Sequence, residues 1–197
     1  MIRPAQPDDA KQVIPLFMQI LKDMEIPEVQ TIGFSKTQAL LEAAFKEPEY
    51  RYGFCQIAVF EQPQTTKILG ACAGYPAAKE AQIDEPLQAH LGNFDLPHDF
   101  SFFHDVEAKA GEWYLDSLAV APEFQRHGIG GQLLDYLSVQ LAKQKEQMIS
   151  LNVDLANTKA ERLYRHHGYV KQSELMIGSH RYAHLVRPLQ SQQAVGL

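Results

Sequence analysis

The sequence predicts one α/β (α+β) domain, about seven strands with helices flanking them. Three observations predict it. Short runs rich in β-forming residues alternate along the chain with segments whose apolar residues recur at helical spacing. The 197 residues show no internal repeat and no second domain boundary. The stretch WYLDSLAVAPEFQRHGIGGQLLDYL, Trp113 to Leu137, sets a strand, a glycine-rich turn and a helix back to back, and the other elements fall around it.

Ile2 and Arg3 begin a first short strand. Asp8 or Asp9 can cap a helix carrying Val13, Leu16, Phe17, Ile20, Leu21 and Met24, and Pro15 should kink it because its ring cannot donate to the helical ladder. A second helix is expected from a Ser35 cap through Leu40, Leu41, Ala44 and Phe45 to Pro48. Tyr52 to Phe60 and Lys67 to Tyr75 read as an antiparallel hairpin about Gln62-Pro63-Gln64-Thr65-Thr66. The span 76–110 has no period and mixes acids, Glu107 among them, with Phe94, Phe100, Phe102 and Phe103. Such a stretch inside a compact domain is usually functional, so it reads as a lid over a binding pocket, with plain surface elaboration as the alternative.

Trp113 to Val120 is a mostly buried strand that stops at Pro122, which cannot donate to a sheet ladder. Ile129, Leu133, Leu137 and Leu141, with Leu134 beside them, give the next helix one apolar face. Met148 to Asp154 alternates as a strand, and Asn157 to His167 is a helix closed by Gly168. Tyr169 to Ile177 and Arg181 to Val186 form a last hairpin about Gly178-Ser179, after which the tail, 189–197, is expected to fray.

Composition narrows the function classes. With 45% hydrophobic and 21% charged residues the chain is an ordinary globule, large enough to bury its own core. A net charge of -6 argues against a nucleic-acid partner and is compatible with a cationic substrate. The start MIRPAQPDDAKQ lacks the layout of a signal peptide and no apolar run approaches a membrane span, so the expectation is a cytoplasmic protein with no membrane partner. Cys55 and Cys72 both sit in strand-like runs and read as small core residues rather than a bridge.

Between the central strand and its helix lies Gln125-Arg126-His127-Gly128-Ile129-Gly130-Gly131. Each glycine inside a helix costs about 1 kcal/mol relative to alanine, so a cluster at a helix start points to a site. Unpaired amides of a first helical turn suit an anion, and glycines let it come close. A phosphate seat is the expectation. A dinucleotide fingerprint would need glycine where Leu133 stands, and a Walker A loop would need Gly-Lys in place of Leu133-Leu134. The stretch resembles instead the acyl-CoA signature of the GCN5-related N-acetyltransferase (GNAT) superfamily, Gln/Arg-x-x-Gly-x-Gly/Ala, matched by Gln125, Gly128 and Gly130 after a Val-x-Pro strand end. Element order over about 1 to 75 and 111 to 188 resembles the same superfamily and leaves 76–110 unexplained. A glycine-rich helix start that binds nothing is the bland alternative.

The resemblance implies the acyl-CoA N-acyltransferase fold. Its sheet is mixed, and its fourth and fifth strands, here Trp113 to Val120 and Met148 to Asp154, splay to admit a pantetheine arm. It implies acetyl-CoA as cosubstrate, the backbone of Leu118, Ala119 and Val120 hydrogen-bonding the arm while Gln125, Arg126, His127, Gly128, Ile129, Gly130 and Gly131 hold the pyrophosphate. Asn157 and Tyr164 project from one helix face. In the family the matching asparagine contacts the arm, and the matching tyrosine lies near the sulfur as general acid. From the residues alone, Asn157 is as readily an N-cap and Tyr164 a core aromatic.

An amine with a pKa of about 10 is mostly protonated at neutral pH, so some group must accept its proton. Glu112, Tyr114 and Asp116 alternate onto one face of the central strand, and the carboxylates of Asp116 and Glu112 are the candidate bases, directly or through a water. Family members place a glutamate at the position aligned with Tyr114, a departure here. Ser117 lacks a nucleophile elbow, His90, His98, His104, His166 and His167 show no metal spacing, and neither cysteine has an activating partner. The expectation is a metal-free, acetyl-CoA-dependent N-acetyltransferase acting on a small-molecule or peptide amine by direct attack in a ternary complex. A homodimer is left open. The competitors are a noncatalytic CoA-binding or regulatory module of the same fold, and O-acyl or longer-chain acyl transfer.

Overall fold

A computed structural model describes residues 1–189. Its strands are β1 (Ile2–Pro4), β2 (Ile57–Glu61), β3 (Ile68–Pro76), β4 (Trp113–Val120), β5 (Met148–Asp154), β6 (Val170–Ile177) and β7 (His180–Pro188). They form one sheet in the order β1-β2-β3-β4-β5-β7-β6. All neighbours are antiparallel except β4 and β5. That parallel pair is joined only at Trp113↔Ile149 and Tyr114↔Ser150. On their outer sides β4 is paired with β3 up to Val120, and β5 with β7 up to Asp154. The sheet is therefore mixed and parts down its middle, as the resemblance implies.

A bulge in β4 sets which side chains meet the opening. Ala73 pairs with Ser117 and Gly74 with Leu115, leaving Asp116 without a partner. The extra residue shifts the alternation by one. Trp113 and Leu115 pack with Leu118 and Val120 on one face, whereas Ala119 joins the core on the other.

The helices are α1 (Ala10–Asp23), α2 (Pro27–Ile32), α3 (Phe34–Ala44), α4 (Gln88–Leu91), α5 (Ile129–Lys143) and α6 (Thr158–His166). On one face Val13, Phe17 and Leu21 of α1 pack with Leu40 and Leu41 of α3 and with Phe45. On the other, Leu133, Leu134 and Leu137 of α5 pack against Leu69, Leu115 and Leu151 of the sheet. Burying each such side chain is worth about 1.5–3 kcal/mol.

Several local expectations change. α1 runs unbroken through Pro15. Asp9 holds its N-cap position, but its carboxylate accepts from the Gln6 amide and pairs with Arg3. α2 was not expected; Pro27 opens it, its fixed φ suiting a first helical residue. Gly33, at φ 84°, then replaces Ser35 as the N-cap of α3, since only a left-handed residue turns one helix into the next so tightly. β2 begins at Ile57 rather than Tyr52, because Tyr50 and Tyr52 drop from a turn into the core. Cys55 is exposed, Cys72 buried, and both are free. Leu189 is buried and donates its amide to Gln147 O at 2.9 Å, while the rest of the expected tail, 190–197, lies outside the described residues.

The segment 76–110 is a chain of 3-10 turns with α4 inside it, and it is anchored rather than draped. Leu87, Leu91 and Phe102 are buried in the core beside α1 and α3, with Phe94, Phe100 and Phe103 packed against them. The Glu80 carboxylate accepts the amides of Glu107 (2.8 Å) and Ala108 (3.1 Å). Asp105 accepts the amide of Gly178 at 2.7 Å. Phe102 is thus a core residue, and the other three rings of the segment are partly buried beside it.

Candidate active site

Where β4 and β5 part, a cavity of about 820 Å3 opens. Its walls come from Tyr114, Asp116 and Leu118 of β4, Asn152 to Asp154 of β5, the first turns of α6, the end of α1, and Glu107. From Leu115 to Ala119 the β5-facing edge of β4 has no strand partner, so its backbone groups are free for an extended ligand, while at the strand end Val120 O accepts from Gln125 Nε2. A hollow of about 310 Å3 adjoins the cavity, sharing Met24, Glu25, Glu107 and Ile177 with it. Another of about 600 Å3 lies under 76–110 and contains no residue of β4 or β5.

The glycine turn sits between β4 and α5. Arg126 and Gly128 have φ 66° and 78°, and Gly128 is the N-cap of α5 with no side chain bonded to it. Among the described residues, no backbone or side-chain acceptor serves the amides from Arg126 to Gly131; the first amide of α5 that is served, Gln132, donates to Gly128 O. Free amides and the helix dipole together favour an anion. The glycines divide this work differently from the sequence expectation. A Cβ on Gly130 would lie 3.3 Å from Leu163, and one on Gly131 2.9 Å from His167 Nε2, so these two let α5 and α6 pack closely. Only Gly128 is required by its backbone angle. Gln125 Nε2 donates to Val120 O at 3.2 Å, closing the strand end, and His127 Nδ1 lies 2.9 Å from Gln125 O. Ile129 is buried under α5.

Asn157 accepts the Ala160 amide at 3.1 Å as the N-cap of α6, and it also lines the cavity. Tyr164 also lines it, with its ring edge-on to Tyr169 at 5.8 Å. Burial pushes the Tyr164 phenol up, so at neutral pH it holds its proton and can donate it.

The two carboxylates singled out on β4 are placed unlike each other. Asp116 lines the cavity but is bound by Arg51, whose Nη1 lies 2.5 Å away, and accepts Ser117 Oγ at 2.9 Å. Arg51 is 2% exposed, also pairs with Asp84 at 3.0 Å, and lies over the Phe103 ring at 4.2 Å. Glu112 is buried behind Tyr114, not in the cavity, with His184 Nε2 3.2 Å from its carboxylate. Burial lowers the His184 pKa.

Sequence reasoning passed over Glu107. It is 6% exposed and accepts Tyr114 Oη at 2.6 Å. Burial first, then the charge of Asp116, push its carboxyl up to about 7 against the opposing pull of Arg51. Nothing in Val106-Glu107-Ala108 advertises this; the one hint was a tyrosine where the superfamily has a glutamate.

Among the described residues no cluster of histidine, cysteine or carboxylates has metal-site geometry, and no helix is long and apolar enough to cross a membrane. The family model for acetyltransferases of the GNAT family matches residues 34–169. A crystal structure called only an acetyltransferase is 35% identical, covers 96% of this chain and 100% of its own, and superposes with TM-score 0.85. An N-acetyltransferase from Staphylococcus aureus Mu50 is 26% identical over 95% of this chain and 100% of its own, TM-score 0.84. A ribosomal-protein-alanine N-acetyltransferase from Brucella melitensis, 15% identical over 96% and 99%, TM-score 0.60, shares the fold. A search of curated proteins returned no match.

Proposed function

This chain belongs to the acetyltransferase (GNAT) family, and from that premise we propose that it moves the acetyl group of acetyl-CoA to a primary amine by direct attack in a ternary complex. One observation carries the reading: a strand edge without a strand partner from Leu115 to Ala119 leads to a turn whose amides, Arg126 to Gly131, have no partner among the described residues. The pantetheine arm would take the place that β5 vacates beside Leu118, Ala119 and Val120. Asn157 would contact the arm. The diphosphate would rest on the amides of the turn, where the helix supplies about half a positive charge.

The residues present fit that cosubstrate. Tyr164, protonated and facing the cavity, would give its proton to the departing thiolate. A covalent acyl-cysteine route has no support, since neither cysteine is among the residues lining the cavity and burial pushes the Cys72 thiol up to about 12. Asp23, Glu25, Glu107 and Asp154 in the wall favour a cationic acceptor, a small amine or the amine of a peptide.

The test is free-thiol release from acetyl-CoA over a panel containing spermidine, tyramine, a lysine peptide and an N-terminal alanine peptide. Turnover with at least one amine is expected. Tyr164→Phe should lower kcat about 100-fold with CoA binding unchanged. Tight CoA binding without turnover on any amine would mark a noncatalytic module, and turnover that improves with longer acyl-CoA would mark a different acyl group.

A further inference from the structure

We infer that Glu107, delivered by the 76–110 segment, is the base that takes the proton from the acceptor amine. This rests on the acetyl-transfer reading above.

Position comes first. Glu107 lines both the main cavity and the adjoining 310 Å3 hollow, so it stands at the junction between them. An amine entering through the hollow, past Phe102, Phe103 and Ile177, would meet this carboxylate on its way to the cavity. Of the other acids in the wall, Asp116 is held by Arg51, Asp154 by His180 and the Ala156 amide, and Glu25 by His180, while Asp23 stands at the end of α1; Glu112 lies outside the cavity.

The carboxylate is also held in one orientation. Asn152 Nδ2 lies 3.0 Å from the Glu107 carbonyl, which can only accept, so this amide is fixed with its nitrogen on that side. The same nitrogen donates to Tyr114 Oη at 3.2 Å, which turns the tyrosine's own proton onto Glu107 Oε2 at 2.6 Å. His184 Nδ1 donates in turn to Asn152 Oδ1 at 2.8 Å. Among the described residues, Oε1 of Glu107 has no donor closer than Arg51 Nη1 at 3.9 Å, and is free to receive a proton.

Basicity then suits the task. A carboxyl near 7 is far better matched to an ammonium than one at its ordinary value. The groups facing it are Arg51 before β2, Tyr114 and Asp116 of β4, Glu80 of its own segment and Tyr182 of β7. Farther along the wall stand Lys22, Asp23 and Glu25 around the end of α1, Asp154 of β5, Lys159 of α6 and His180 of β7. The observed pKa will belong to this coupled set.

The step balances. Glu107 takes one proton from the ammonium, freeing the nitrogen lone pair. The C–N bond forms at the thioester carbonyl and the C–S bond breaks. The thiolate takes the proton of Tyr164, the second proton on nitrogen replaces it, and Glu107 returns its proton to water.

Glu107→Gln tests this, because the amide keeps the shape and still accepts from Tyr114. On the amine that the wild type acetylates, kcat/KM should fall at least 100-fold, with calorimetric CoA affinity within about twofold. In the wild type, log kcat/KM should rise with pH through about 7, and the variant should lose that limb. Tyr114→Phe carries an independent test: losing a donor to the charged carboxylate should move the limb to higher pH with the carboxylate still in place. A Glu107→Gln enzyme within threefold of wild type that keeps the limb, or a Tyr114→Phe enzyme whose limb stays put, overturns the assignment while the acetyl-transfer reading stands. A wild type inactive on every amine, with CoA bound, overturns both.

Discussion

On the acetyl-transfer reading proposed above, the turn at 125–131 and the segment at 76–110 serve one cosubstrate and one acceptor by opposite means. The turn offers backbone amides, and its side chains are either elsewhere engaged, as Gln125 is with Val120, or set by helix packing, as Gly130 is by Leu163. The insertion offers side chains fixed by burial: Phe102 in the core, Phe103 over Arg51, Glu107 against Tyr114. A site built from backbone should tolerate side-chain change, and a site built from buried side chains should not.

The contrast breaks first, if it is wrong, at the insertion. Arg51→Ala leaves Asp84 and Asp116 without their partner in a buried setting, a loss of about 3–5 kcal/mol, seen as a midpoint shift in urea denaturation. Phe102→Ala should cost about 3–5 kcal/mol because the ring is 3% exposed; under about 1 kcal/mol would restore the idea of a loose lid. Next comes pH. The folded Glu107 carboxyl is raised from 4.5 to about 7, so its contribution to stability is full below about 4.5 and lost as pH rises through about 7. Glu107→Gln should therefore melt no higher than wild type at pH 5 and several degrees higher at pH 8, in thermal scans at both values. A lower melting point at pH 8 would mean that the charge is satisfied in place.

At the turn the effects shrink. Gly128→Ala forces a side chain to φ 78° and should cost about 1 kcal/mol and weaken CoA binding severalfold. Arg126→Ala and His127→Ala should alter CoA affinity by less than about threefold in the same calorimetry. A loss of tenfold or more would place the grip in side chains and erase the contrast.

The same contrast explains what could be read in advance. Gln125, Gly128 and Gly130 follow each other within six positions, and a helix start made of glycines breaks a local rule loudly. The order of elements along the chain was legible because strands and helices carry their periods in the sequence, while the mixed sheet and its parting came through the resemblance to the superfamily. Glu107 reaches the cleft through contacts with Asn152 and Arg51, both distant in the chain, and with Tyr114, seven residues on, and leaves no periodic trace. Gly33 replaced Ser35 as a cap for a related reason: the short helix Pro27–Ile32 is set by packing of Val29, not by any repeat. Asp116, a candidate base on its strand pattern, lines the cavity, but its ion pair with Arg51 depends on a residue outside its own strand.

Titration calorimetry comparing CoA with pantetheine tests the central claim most directly, since the two share the arm and differ in the diphosphate. The account predicts sub-millimolar binding of CoA and binding of pantetheine weaker by at least tenfold. No heat at millimolar CoA, or equal affinity for the two, would contradict it.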